Sequence, residues 1–184
     1  MKIVIFFSGI GTNLEAIIKQ QGDYKYEVIA GFTNNPNAYG IKICEKYNID
    51  CKVIDHKNFL SRENFDREVH IFLDQIKPDF IILAGYMRIM SKLLVNHWEG
   101  KIINIHPSLL PKYPGLNTHK KVLASKDKFH GTTIHYVINK LDAGPIIKQE
   151  AFKVEPNDNE EGLINKVKEI ENRIYPKTIS ELIE

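Results

Sequence analysis

Short apolar runs alternate with longer amphipathic segments through the first hundred residues. Five runs are continuously apolar and rich in Ile and Val, which is typical of buried parallel strands. They cover residues 2–7, 26–32, 51–54, 79–85 and 101–106. Between them, helical periodicity predicts helices at about 12–20, 39–48, 61–76 and 91–97. The alternation predicts an α/β fold, with a Rossmann-like, mostly parallel sheet flanked by helices.

One helical segment shows its buried face clearly. In residues 61–76, Phe65, Val69, Phe72 and Ile76 fall at helical spacing, with charged residues between them. Such a stripe predicts an amphipathic helix that packs on the sheet through these four side chains.

The pattern changes after Gly115. Residues 130–138 and 144–154 alternate polar and apolar positions and are separated by a short turn, which predicts two late antiparallel strands. Residues 157–184 have helical periodicity, and we expect an interruption near Pro176 because proline breaks helices. No repeat, low-complexity tract or linker divides the chain, so we predict one domain over 1–184.

Composition and charge narrow the classes of function. The formal net charge of +2 does not indicate a nucleic-acid or membrane partner. No apolar run is long enough for a signal peptide or a membrane span. Cys44 and Cys51 do not form a metal-ligand pair, and we expect reduced thiols, with Cys44 on a helix face. We predict a cytoplasmic protein that binds small molecules.

Residues 8–13, Ser-Gly-Ile-Gly-Thr-Asn, connect the first strand to the first helix. Glycines let the backbone approach a ligand closely, and a helix N-terminus offers free N–H groups to a phosphate. Leu14 replaces the third glycine of a dinucleotide fingerprint, and the Gly-Lys-Ser/Thr of a P-loop is absent, so a monophosphate fits better. Thr12 and Glu15 match a capping box, which predicts the helix start. Taken alone, the segment is equally compatible with a tight turn that binds nothing.

A second group of candidate residues lies at the end of the predicted fifth strand, 101–106. Parallel α/β sheets bind ligands at the carboxyl ends of their strands, and alternation points Asn104 and His106 to one face. The proline-rich segment 107–115 stiffens the loop behind them. An amide can donate to a developing oxyanion, and an imidazole can move a proton near neutral pH. Asp142, in the turn between the late strands, can orient the imidazole, although turn chemistry alone also explains an Asp there.

Two other chemistries are not expected. The histidines match no zinc signature, so we predict no metal. Ser108 lacks the G-x-S-x-G context of a nucleophile elbow, so we do not expect covalent serine catalysis.

Motifs spread over almost the whole chain resemble the phosphoribosylglycinamide formyltransferases, a family of the folate-dependent formyltransferase superfamily. They occupy 8–18, 78–91, 104–119, 130–137, 141–147 and 171–176, in the family's order. Methionyl-tRNA formyltransferases share Asn-x-His-Pro-Ser-Leu-Leu-Pro but continue with a basic, aromatic stretch, whereas this chain continues Lys-Tyr-Pro-Gly-Leu-Asn-Thr-His at 112–119. The resemblance implies formyl transfer from 10-formyltetrahydrofolate, a co-substrate, to the amine of glycinamide ribonucleotide in purine synthesis.

The resemblance also implies a role for each motif. Residues 1–100 would form a phosphate-binding lobe and residues 101–184 a catalytic and folate-binding lobe. Arg88 has a plain alternative, a solvent-facing side chain between core residues. The implied residues are Asn104, His106 and Asp142 for catalysis, with Ser108 and His135 as support; Gly9, Gly11, Thr12 and Asn13 for the phosphate; Glu171 for the ribose; and Met87, Arg88, Ile89, Met90, Leu141, Ala143 and Gly144 for the folate.

Two alternatives of function stay open at this point. One is a relative that uses formylfolate with another acceptor, including water. The other is a non-catalytic protein that binds a phosphorylated ligand on the same scaffold. The sequence does not decide between a monomer and a homodimer.

Overall fold

The computed structural model describes residues 1–183, and within them the chain forms seven strands and six α-helices. The strands are β1 Lys2–Phe7, β2 Glu27–Thr33, β3 Cys51–Val53, β4 Phe80–Leu83, β5 Ile102–His106, β6 Phe129–Tyr136 and β7 Ile146–Lys153. The helices are α1 Thr12–Gln20, α2 Gly40–Lys46, α3 Arg62–Ile76, α4 Lys92–His97, α5 Thr118–Ser125 and α6 Glu160–Ser180. The predicted strands and helices of the first hundred residues are all present, with small shifts at their ends.

All seven strands form one sheet in the order β3-β2-β1-β4-β5-β6-β7. The first five strands pair in parallel, whereas β6 and β7 pair antiparallel. The predicted fold class is therefore confirmed. From β1 the chain first adds strands on one side and then returns to add β4 on the other, so the loops after β1 and β4 diverge. Such a switch point opens a crevice at the carboxyl edge of the sheet.

Each face of the sheet is covered by its own helices. On one face, side chains of α1, α2 and α6 pack against Ile3, Ile5 and Phe7 of the central strand. On the other face, α3 and α4 pack against Val4 and Phe6. The predicted stripe of α3 is partly correct. Its fully buried residues are Phe65, Val69 and Leu73, while Phe72 and Ile76 are half-buried at the edge of the contact.

The predicted interruption near Pro176 is wrong, because α6 runs unbroken from Glu160 to Ser180. A proline inside a helix leaves the carbonyl four residues earlier without its usual N–H donor. Here that carbonyl belongs to Asn172, and it accepts a hydrogen bond of 3.1 Å from Nε2 of Gln20, the last residue of α1. A side chain of the neighbouring helix thus replaces the missing backbone donor.

Two simpler predictions concern thiols and membranes. Both cysteines are free, and Cys44 is buried in the core from α2. Among residues 1–183, no helix combines the length and the apolar character that a bilayer crossing requires.

Candidate active site

A cavity of about 790 Å³ lies at the carboxyl edge of the sheet, where β1, β4 and β5 end. This volume is within the range of small-molecule sites. Five loop segments and one face of α6 enclose it. They are 8–13, 84–89, 104–107, 115–119 and 141–142, with Glu160, Ile164, Val167, Lys168 and Glu171 from the helix.

Residues 8–13, the glycine loop, form one end of the cavity. Gly11 has a φ of 84° and a carbonyl that accepts from the backbone N–H of Glu15 at 2.9 Å, so Gly11 is the N-cap of α1. A Cβ on Gly11 would come within 3.1 Å of the Cα of Gly40, so the position also needs glycine for space. No side chain of the described residues caps this end, and the first N–H groups of α1 remain available to an anion.

The predicted capping box is therefore wrong, although the helix does begin at Thr12. Thr12 is the first helical residue, and its exposed side chain lines the cavity. The Glu15 carboxylate turns away toward Lys46 Nζ and Tyr47 Oη, both at 3.0 Å. These hydrogen bonds, with help from Lys19, lower the pKa of Glu15 to about 2. The carboxylate that the capping box would have used is bound instead by Lys46 of α2.

A buried carboxylate sits beside the glycine loop. Glu171 is 7% exposed and accepts hydrogen bonds from Asn13 Nδ2 at 2.9 Å and from Thr132 Oγ1 at 3.1 Å. Burial raises its pKa, and the two donors act in the opposite direction. One helical turn later, the Tyr175 hydroxyl reaches the carbonyls of Leu83 and Ile103, at 3.0 and 3.1 Å. This contact ties α6 to β4 and β5 and so fixes Glu171 in the cavity wall.

Asn104 lies at the base of the cavity, and His135 orients its amide. The Nδ1 of His135 is 2.8 Å from the carbonyl of Tyr136, which can only accept, so Nδ1 carries the ring hydrogen. Burial lowers the pKa of His135, and the neutral ring then offers Nε2 as an acceptor. Asn104 Nδ2 donates to that nitrogen at 3.2 Å. The oxygen and nitrogen of the amide are thereby assigned, and the second N–H hydrogen of Asn104 is left for a ligand.

His106 and Asp142 meet at the same place. His106 is 6% exposed, and its Nε2 lies 2.9 Å from the carbonyl of Tyr113, so Nε2 carries a hydrogen. Its Nδ1 faces Asp142 Oδ2 at 3.4 Å. The same carboxylate oxygen accepts from the backbone N–H of Gly115 at 2.7 Å, and Oδ1 is 3.8 Å from His135 Nε2. Asp142 has a φ of 47°, a left-handed backbone conformation that Asp tolerates better than most residues. The residue therefore also suits the backbone of its turn.

The segment after β4 forms the other end of the cavity. Met87 and Ile89 are exposed on its rim, together with Leu116 and Leu141 from the facing loops. Arg88 is half-buried with its guanidinium 4.9 Å above the ring of Phe65, so it is not the solvent-facing side chain of the alternative reading. The rim offers apolar surface for a flat, largely apolar ligand.

Ser8 connects the two ends of the cavity. Its hydroxyl accepts from the backbone N–H of Met87 at 2.9 Å and donates to Asn34 Oδ1 at 2.5 Å. Its backbone N–H donates to the carbonyl of Gly85 at 3.1 Å. One serine therefore fixes the glycine loop against the loop after β4. The sequence analysis does not select this residue.

Five predicted site residues do not line the cavity; one of them, His135, lies behind Asn104 and orients its amide. Met90 is buried in the core beneath α3 and α4, while Ala143 and Gly144 lie beyond the turn that presents Leu141 and Asp142. Ser108 is fully buried and donates to the carbonyl of Lys112 at 2.6 Å. Its contact holds the proline-rich loop, and the other predicted residues meet around the cavity or support its walls.

Comparison with known proteins identifies the scaffold. The model of the formyl transferase family matches residues 1–179. The chain belongs to the formyl transferase family. Phosphoribosylglycinamide formyltransferase of Escherichia coli K12 is 42% identical over 182 residues, covering 98% of this chain and 86% of that protein. The trifunctional purine biosynthetic protein adenosine-3 of Gallus gallus is also 42% identical, and the chain spans 18% of its length.

Solved structures give the same result for this formyltransferase. The phosphoribosylglycinamide formyltransferase of Bacillus halodurans superposes with a TM-score of 0.96 at 40% identity, covering 100% of this chain and 96% of that one. The enzyme of Coxiella burnetii superposes with a TM-score of 0.94 at 43% identity, covering 98% and 85%. The predicted family and its enzymatic character are therefore confirmed.

Several cavity residues of this formyltransferase escape sequence reasoning. Lys168 lies one turn before Glu171 on α6 and lines the cavity beside it. His119 lines the opposite wall, and burial lowers its pKa. Helical spacing from Glu171 is the one signal that points to Lys168, because residues three apart share a helix face.

Proposed function

We propose that this formyltransferase moves the formyl group of 10-formyltetrahydrofolate to the amine of glycinamide ribonucleotide. The observation that carries the proposal is the meeting of Asn104, His106 and Asp142 at the base of one cavity, between an uncapped helix N-terminus and an apolar rim. The named relatives use the same scaffold for this kind of transfer.

The ribonucleotide would occupy the end formed by the glycine loop. The free N–H groups of Gly11 to Asn13 and the helix dipole suit a terminal phosphate, and the exposed hydroxyl of Thr12 adds a donor. Lys168 supplies a positive charge on the same side. Glu171, held by Asn13 and Thr132, is placed to accept from ribose hydroxyls.

The folate would occupy the other end, and the residues present fit such a group. Met87, Ile89, Leu116 and Leu141 provide apolar surface for its ring system. The backbone of 84–89 offers polar groups at a fixed position because Ser8 anchors it. The volume of about 790 Å³ accommodates two ligands of this size side by side at an open cleft.

Asn104 and His106 would stabilise the charge that develops during transfer. A C–N bond forms between the attacking amine and the formyl carbon, and the formyl oxygen becomes anionic. Asn104 donates its second amide hydrogen to that oxygen, because His135 already holds the first. Because His106 Nε2–H already donates to the carbonyl of Tyr113, His106 adds a donor from Nδ1 when its ring is protonated, and Asp142 holds the orientation of the ring.

Asp142 would also assist the proton transfer that completes the reaction. The bond from the formyl carbon to the folate nitrogen breaks, and that nitrogen takes the proton which the attacking amine gives up. Asp142 can pass this proton through a water held against its carboxylate, which has one oxygen on His106 and the other on the His135 side. No atom is lost, and no redox partner is needed.

The decisive assay follows the absorbance of deformylated folate with glycinamide ribonucleotide, with its riboside and without any added amine. Glycinamide ribonucleotide should support rapid turnover, whereas its riboside, which lacks the phosphate, should react far more slowly because the glycine loop has nothing to bind. Formate release without any amine would indicate a hydrolase. Tight binding of both ligands without turnover would indicate a non-catalytic binding protein. Equal rates with ribonucleotide and riboside would contradict the placement of the phosphate.

A further inference from the structure

A second cluster of chemically active side chains lies outside the cavity. His70 and Asp74 stand four residues apart on α3, and His97 ends α4. Among residues 1–183 they are the one group of three or more His, Cys, Asp or Glu residues close enough together to hold a metal ion. None of the three lines the cavity, so catalysis does not explain their proximity.

The separations between the ligand atoms are close to those of a metal site. His70 Nε2 is 3.4 Å from Asp74 Oδ2, and His97 Nε2 is 4.0 Å from Asp74 Oδ1. One ligand atom from each residue falls within 4.8 Å of the others. Around a tetrahedral zinc ion with bonds of about 2.0–2.2 Å, ligand atoms lie about 3.3–3.6 Å apart. Rotation of the exposed Asp74 and His97 side chains closes the remaining difference.

The surroundings leave room for a fourth ligand from solvent. The side chains of Asp74 and His97 are 56% and 53% exposed, whereas that of His70 is 22% exposed. The rings of His70 and His97 meet edge to face with centroids 4.0 Å apart. Two imidazoles and one carboxylate are borderline ligands, which favour zinc, nickel or copper over magnesium or calcium.

We propose that His70, Asp74 and His97 bind one divalent transition-metal ion of the zinc class, with water completing its coordination. The ion links α3 to α4, the two helices that pack on the same face of the sheet. The sequence analysis predicts no metal because the three ligands of this site come from two helices and match no zinc signature.

Trp98 adds an observable to the site. Its Nε1–H lies 3.4 Å from His70 Nδ1 and donates to it, so in the metal-free protein the His70 hydrogen is on Nε2, facing Asp74. A metal on Nε2 displaces that hydrogen, and the neutral ring then carries one on Nδ1, against the indole N–H. The Trp98 contact must therefore change on binding. Trp98 is the only tryptophan of the chain, so tryptophan fluorescence reports the surroundings of this residue, which contacts His70.

The test titrates the EDTA-treated, desalted full chain with zinc chloride in a calorimeter and with copper chloride in a fluorimeter. Wild type should bind one zinc ion, and copper should quench Trp98. His97→Ala and Asp74→Asn should each weaken zinc binding by at least about tenfold, because even supporting residues of metal sites contribute that much. Zinc should also raise the Tm of wild type by more than that of Asp74→Asn.

Glu68→Gln is the matched control, since it removes an equal charge from an exposed position of the same helix. It should keep wild-type zinc affinity. No zinc uptake by wild type would overturn the proposal. Equal affinity in wild type and Asp74→Asn would also overturn it and would place the zinc elsewhere, as at the pair of His119 and His130, whose nitrogens are 2.9 Å apart.

Discussion

Glu171→Gln tests how the ribonucleotide is held. Glu171 is 7% exposed, and its two oxygens already accept from Asn13 and Thr132. A carboxylate oxygen has further lone pairs for the ribose hydroxyls. Glutamine keeps the shape of the side chain but removes the charge and replaces one acceptor with a donor that faces Asn13 or Thr132.

The size of the effect follows from the bond that is lost. A hydrogen bond to a charged group contributes about 1.5–3 kcal/mol. With RT of about 0.59 kcal/mol, the KM for the ribonucleotide should rise about 10- to 150-fold. The ribose does not react, so ground state and transition state lose the same interaction, and kcat should change little.

The assay is steady-state formyl transfer at varied ribonucleotide and saturating formylfolate. Glu169→Gln, an exposed position of the same helix, is the charge-matched control and should keep the wild-type KM. Urea unfolding checks that both variants are folded. An unchanged KM in Glu171→Gln, or a loss of kcat at constant KM, would refute the role assigned to this carboxylate.

Three further predictions probe orientation, pH and the fold. Asp142→Asn should lower kcat about 10²- to 10⁴-fold with a small change in KM, since it removes the proton acceptor beside His106; a kcat near wild type in the same assay would contradict this. Burial lowers the pKa of His130 to about 4, below its unfolded value of about 6.5, so the native state binds fewer protons and stability falls as the pH drops through this window. Between about pH 7.5 and pH 5 the free energy of unfolding, measured with urea, should fall by about 2 kcal/mol because of this group. In His130→Gln the free energy of unfolding should depend less on pH by that amount, and an unchanged pH dependence would contradict the prediction. Gln20→Ala should destabilise the protein by about 1–3 kcal/mol in the same experiment, because the carbonyl of Asn172 loses its donor inside α6, and an unchanged midpoint would show that water replaces it.

Local sequence pattern was sufficient for the sheet and for the positions of its loops. Continuous runs of Ile and Val indicate strands that are buried on both faces of the sheet. In a parallel sheet, ligands bind at the carboxyl ends of the strands, so the residues there are candidates for the site. Asn104 and His106 could therefore be placed from their position at the end of β5. Asp142 was a candidate partner of His106 on chemical grounds, but no local pattern brings the two together, and the resemblance was needed to favour that contact over simple turn chemistry.

Two of the failures share a physical cause, which is competition between partners distant in sequence. Glu15 leaves its own helix N-terminus because Lys46 and Tyr47 approach from α2. Pro176 does not break α6 because Gln20 supplies a donor from α1. A local pattern shows which face is buried, but it does not show which group arrives there from another element.

The most direct test of the catalytic assignment is the single-turnover rate of Asn104→Ala with both substrates saturating. We expect a fall of about 10²- to 10³-fold, the usual effect of removing one oxyanion donor, in a protein that remains folded. Asn139→Ala, at an exposed amide outside the cavity, should react at the wild-type rate. If Asn104→Ala transfers the formyl group as fast as wild type, the cavity does not stabilise the oxyanion through this residue, and the central claim is contradicted.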